Sequence, residues 1–133
     1  MIVLLDADVL MDLALDRSPH ALPAGELLDG LERRPGSAFV AWHSISNFYY
    51  LVAPRRGAAS TRGFIQDLMR FVEVAPTTTD DLLFATKLNM RDFEDAMQVA
   101  AAAACGADVI ATRNVRDYRN SPIRAATPKS LAG

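Results

Sequence analysis

The chain has 133 residues, half of them hydrophobic and 23% charged, with a formal net charge of -2. That size and balance fit one domain spanning residues 1–133 with a real core, and exclude a disordered chain or a generally basic nucleic-acid coat. A local basic patch stays open, because binding follows patches and not totals. The single cysteine, Cys105, has no internal partner and suits a cytoplasmic setting. No signal peptide is expected, since the N-terminal apolar run is short and broken by acids. No stretch approaches the roughly 20 apolar residues of a membrane span.

In chain order, Ile2 to Leu5 reads as a buried parallel strand, and Asp8 as the cap of a helix whose inner face carries Val9, Leu10, Leu13 and Ala14. Leu22 to Arg34 has helical spacing, and Pro35-Gly36-Ser37 stops it. Ala38 to Trp42 is a second strand. A helix from Ser44 to about Ala53 follows, ended by Pro54, then a basic linker over 55–60 and a helix from Ser60 to Phe71. Val72 to Ala75 is a third strand, and Thr79 caps a helix to about Leu88. A helix from Asp92 to about Cys105 stops at Gly106. Asp108 to Ala111 is a fourth strand, residues 115–120 a polar turn, and Ile123 to Ala126 a last edge strand. Strands alternating with helices predict an α/β fold: a mainly parallel, five-stranded sheet with helices on both faces.

Ligands of such sheets bind beyond the carboxyl ends of the strands. Asp6 closes the first strand at that edge. Asp92 and Asp95 are three apart and share one side of a helix, while Glu94 faces elsewhere and Phe93, Met97 and Ala100 turn to the core. Thr112, Asn114 and Asp117 follow the fourth strand, and Asn47 lies on the helix after the second. Converging carboxylates repel, and a divalent cation with a taste for hard oxygen, magnesium or manganese, relieves that cost and can activate water. His20 and His43 are isolated, so no zinc cluster is at hand. Asp12 reads as a peripheral, solvated acid. Trp42, Phe48, Tyr49 and Tyr50 read as core or dimer surface, with base stacking as the alternative.

The strings Leu4-Leu5-Asp6-Ala7-Asp8-Val9-Leu10-Met11-Asp12, Asp92-Phe93-Glu94-Asp95-Ala96 and Ile110-Ala111-Thr112-Arg113-Asn114-Val115-Arg116-Asp117-Tyr118 resemble, in order and spacing, the PIN domain family, and within it the VapC-type toxin nucleases. The resemblance covers nearly the whole chain. It implies a three-layer α/β/α sandwich and an acidic pocket that binds Mg²⁺ or Mn²⁺ for RNA hydrolysis. Asp6, Asp95 and Asp117 match metal-binding acids and Asp92 an extra acid of a subgroup; all four are catalytic candidates. Asn47 stands where the family usually has glutamate, and Asn114 where aspartate is more usual. Asn47, Thr112, Asn114 and Asp8 are then candidates to orient ligands, and Arg113, Arg116 and Arg55 to contact RNA phosphates. The resemblance further implies an antitoxin laid over the acidic groove and a homodimer formed through the first helices. Two other readings compete: a PIN domain that binds RNA or protein without cutting, and a haloacid-dehalogenase-like phosphatase using Asp6 and Asp8. Against the phosphatase, the chain's two lysines, Lys87 and Lys129, are poorly placed for that chemistry.

Overall fold

A computed structural model describes residues 1–132. Five three-residue or shorter strands, β1 (Val3–Leu5), β2 (Ala38–Val40), β3 (Val72–Val74), β4 (Val109–Ala111) and β5 (Ala125–Ala126), form one sheet in the order β3-β2-β1-β4-β5. All four pairings are parallel, as expected from strands that carry apolar residues without alternation. The chain runs outward from β1 through β2 to β3, then returns to place β4 on the other side of β1. The strand order therefore reverses between β1 and β4, the place where open α/β sheets take their ligands.

Successive side chains of β1 point to opposite faces. Val3 and Leu5 join one core cluster with Leu27, Leu28 and Leu31 of α2 (Ala21–Glu32), Phe48 and Val52 of α3 (Trp42–Arg56) and Leu68 of α4 (Ala58–Leu68), and α1 (Ala7–Ala14) lends Val9 and Leu10. Leu4 joins the other, with Ile110 and with Val99, Ala101 and Ala102 of α6 (Phe93–Ala104). α5 (Thr79–Thr86) packs on α6 through Ala85, Ala96 and Ala100. The expected three layers are present. Among the described residues no helix is long and apolar enough to cross a membrane.

Local differences from the sequence reading have plain causes. α3 begins at Trp42 and runs through Pro54 to Arg56. A proline in the last turn removes one helical bond only, and the chain turns at Gly57, whose φ of 94° a side chain would resist. The supposed linker is thus helix on both sides of one glycine. Thr78, not Thr79, caps α5, in a reciprocal box with Asp81. Thr127-Pro128 opens a helix, α7 (Pro128–Ala132), where no element was expected. The Thr127 hydroxyl accepts from the Ser130 N–H at 3.2 Å and Pro128 takes the first helical position, both ordinary start signals. Phe93, expected to face the core, is 47% exposed.

Candidate active site

The register that pairs Leu5 with Ala111 sets Asp6 beside Thr112 at the strand-order reversal, and Asp6 N–H donates to the Ala111 carbonyl at 2.9 Å. Asp6 occupies the N-cap of α1 but makes no side-chain cap bond. Its carboxylate turns to the sheet edge instead. Oδ1 accepts from Gln98 Nε2 at 3.0 Å, and Oδ2 contacts the Thr112 hydroxyl at 3.0 Å and the Tyr118 hydroxyl at 3.1 Å. The Tyr118 hydroxyl also lies 3.2 Å from Asp95 Oδ1, so one phenol joins two acids 89 positions apart in sequence. Thr112 Oγ1 repeats the pattern, at 3.1 Å from Asp8 Oδ2.

Each of these hydroxyls has one hydrogen and serves two carboxylates. One carboxylate of each pair therefore meets a lone pair with a lone pair unless a proton or a cation intervenes. Burial, then the Asp6 charge, pushes Asp8 from its ordinary 3.8 up to about 6, against donors from Arg113 and Thr112. Burial, then the charges of Asp92, Asp6 and Asp117, pushes Asp95 to about 6 as well. Burial and the two flanking carboxylates push the Tyr118 phenol up, so it stays a hydrogen-bond donor.

Raised folded-state values mean that the native chain holds these protons more tightly than the unfolded chain. Stability is expected to fall as pH rises from 3.8 to about 6, and to level off above. Urea unfolding across that window checks this, and Asp8→Asn should flatten the slope.

Asp8 was expected to cap α1. It sits instead inside the first turn, 8% exposed, and its Oδ2 also accepts from the Arg113 N–H at 3.1 Å and Asn114 Nδ2 at 3.2 Å. Asn114 thus donates to an acid, which an aspartate in its place could not do. Asp12 is no surface acid: it is 1% exposed and paired with Arg17 Nε at 2.9 Å and Arg113 Nε at 2.6 Å. Arg113 thereby has its Nε engaged in the fold.

Asp92 spends Oδ1 on the Glu94 and Asp95 N–H groups at 2.8 and 3.3 Å, capping α6. With Asp95 and Asp117 it lines a cavity of about 430 Å³ whose other walls include Arg91, Arg116 and Arg119. Glu94 is exposed and outside the hydrogen-bonded group, as expected. Asn47 is exposed on the second turn of α3, with no hydrogen bond to the acids among the described residues. Arg55 lies at the far end of a helix that starts at the acidic edge and runs 15 residues, about 22 Å, away from it. Its neighbour Arg56 reaches the Ala14 carbonyl at the end of α1, so this pair does not join the site.

The sequence reading missed Gln98, Tyr118 and His43. Gln98 follows Asp95 by three on the same helix and is a buried amide among alanines, a readable signal. His43 sits beside Glu94 and feels the Asp6 charge, yet burial dominates and holds its imidazole below the ordinary value, hence neutral at pH 7.

The PIN domain profile matches residues 2–116. The chain belongs to the PIN domain family. No match to it was found among curated proteins. Similar solved structures include VapBC2 from Rickettsia felis bound to a promoter DNA fragment (TM-score 0.74, 13% identity, 96% of this chain and 98% of that one). VapBC-1 from nontypeable Haemophilus influenzae is also similar (TM-score 0.72, 14% identity, 96% and 98%). VapC20 of Mycobacterium tuberculosis, a Sarcin-Ricin loop cleaving toxin, matches at TM-score 0.65 and 16% identity over 81% and 86%. At such identities the likeness establishes the fold. The membership sets aside the phosphatase reading, and the geometry agrees: Asp6 and Asp8 share Thr112 rather than flanking one free space.

As they stand, no three acidic, histidine or cysteine side chains among the described residues converge tightly enough to grip an ion. The Tyr118 hydroxyl bridges Asp6 and Asp95, and Asp92 is turned to its cap. The donor chemistry nonetheless fits a hard cation. The acids offer oxygen and hold more acceptors than donors, and Asp8 Oδ1 and Gln98 Oε1 are buried without a partner. Tyr118→Phe keeps the buried ring and removes the shared hydrogen that orients Asp6. It is expected to weaken Mn²⁺ binding about tenfold with little change in far-UV circular dichroism, measured by calorimetry.

Proposed function

We propose that this PIN domain is a metal-dependent endoribonuclease and the toxin of a type II toxin-antitoxin pair, working in the cytoplasm as a homodimer. The observation that carries it is the tie of Asp6 and Asp95 through one hydroxyl at the strand-order reversal, with Asp92 and Asp117 beside them. In this reading Asp6 and Asp95 hold Mg²⁺ or Mn²⁺, and Asp117 is the third acid drawn in. A bound divalent ion supplies charge neutralisation for a phosphodiester oxygen and acidity for water.

The chain's own groups do the rest. Tyr118, Thr112 and Gln98 donate to Asp6 and fix its carboxylate, and Asp92 stiffens the first turn of α6 on which Asp95 stands. Arg91, Arg116 and Arg119, on the wall of the acidic cavity, supply cations for flanking phosphates. Asn114 holds Asp8, which keeps a proton near pH 6 and so limits the repulsion felt by Asp6. The antitoxin reading is supported by neighbours that are VapBC and FitAB assemblies.

The test is cleavage of single-stranded and structured RNA with Mn²⁺ and with chelator. Cleavage that needs the metal and is lost in Asp95→Ala supports the reading. Equal cleavage by wild type and variant would overturn it.

A further inference from the structure

A second cavity, about 280 Å³, opens on the other flank of α6. Its floor is small and apolar: Ala85, Ala100 and Ala101 are almost fully buried, and Met97 adds a flexible edge. Its rim is polar without being cationic, with Thr77, Thr79 and Asp81 and neither lysine nor arginine among its lining residues. Trp42 stands at its mouth, 75% exposed, on the first residue of α3. The volume falls below the roughly 300–1,000 Å³ of pockets for drug-sized ligands, so it suits one flat ring system.

The position relative to the acids is set by α6. Asp92 and Asp95 line the arginine-bearing cavity, while Met97, Ala100 and Ala101 line this one. The two therefore lie about one helix diameter apart, about 10 Å. His43 lines this cavity and also feels the Asp6 charge. A phosphate at the acidic cavity leaves an adjoining nucleotide within reach of the apolar slot. Charge sorts the two cavities the same way, arginines for the backbone on one side and, on the other, a slot without a cation whose one acid, Asp81, already accepts from the Thr78 N–H.

We infer that the cavity bounded by Trp42, Met97 and Thr79 is a base-binding subsite, which takes one unpaired nucleobase of a single-stranded RNA and stacks it on the Trp42 indole. This rests on the ribonuclease reading above for its choice of ligand. An unpaired base offers a π-face to an aromatic ring whatever its identity, and the polar rim meets its edge. A duplex keeps its bases stacked inside and cannot fill the slot.

Trp42 is the chain's one tryptophan, so its emission reports the slot directly. The experiment titrates metal-free protein with a short single-stranded RNA and, separately, with an oligomer of the same length that carries the ribose-phosphate backbone without bases. Saturable quenching by the first and none by the second is expected. In Trp42→Ala, binding of a dye-labelled RNA should weaken about tenfold, with recovery in Trp42→Phe. Asp95→Ala should keep the quenching while losing cleavage.

Equal quenching by the baseless oligomer, or emission that shifts with protein concentration alone, would overturn the inference; the latter would assign the face to a second copy. Cleavage without quenching would sink the subsite and leave the ribonuclease standing. Quenching without cleavage under any metal would do the reverse.

Discussion

On the ribonuclease reading, Asp6→Ala is expected to lower metal-dependent RNA cleavage by about a hundredfold or more, yet to leave the fold nearly as stable as before. Loss of a partner around a metal site already costs about 10- to 100-fold, and Asp6 is the group to which Gln98, Thr112 and Tyr118 all converge. On the stability side two effects oppose. The variant strands the buried Gln98 amide, a cost of about 1–3 kcal/mol. It also frees the Thr112 hydroxyl for Asp8 and the Tyr118 hydroxyl for Asp95, and removes a charge that pushes both acids up. The net change in unfolding free energy is expected within about 1 kcal/mol of zero, because acids crowded for function commonly cost stability. Carboxyl resonances followed by NMR give a readout free of activity: Asp8 and Asp95 should both titrate lower in Asp6→Ala than in wild type.

Arg113→Ala, by contrast, is expected to cost stability and not RNA affinity. Asp12 is 1% exposed, and removing one partner of a buried ion pair typically costs about 3–5 kcal/mol. Arg17 remains to pair Asp12, so about 2–3 kcal/mol is expected, at or under the low end of that general figure. The loss should appear as a lower urea midpoint with unchanged slope. Asp8 is held partly by the Arg113 backbone N–H, which any residue there supplies, so the site itself should survive. Unchanged stability with weakened RNA binding would return Arg113 to the role of phosphate contact.

These two residues also show where sequence reading succeeds and stops. Asp6 and Asp95 were legible because each breaks an apolar pattern at a place where a carboxylate is costly. Asp12 was not, because its partners are Arg17, across a turn, and Arg113, about a hundred positions away. Its place at i+4 from Asp8 was visible, but nothing local says that this face is buried. Arg55 lies away from the acidic edge because α3 runs on through Pro54, a proline in its last turn, and ends beyond it. Tyr118 lay inside a recognised string, yet its role depends on two acids meeting across the sheet edge, a fact of topology. The β strands and α6 were read within a residue or two, because their apolar spacing and the stop at Gly106 (φ 69°) are local properties.

Asp6 and Asp95 are proposed to form one cation site at the reversal of strand order. Calorimetric titration of Mn²⁺ into wild type, Asp6→Ala and Asp95→Ala at pH 7 tests it most directly. One binding event is expected in the wild type, lost in both variants. Binding that survives in both, or none in the wild type at millimolar Mn²⁺, would contradict it.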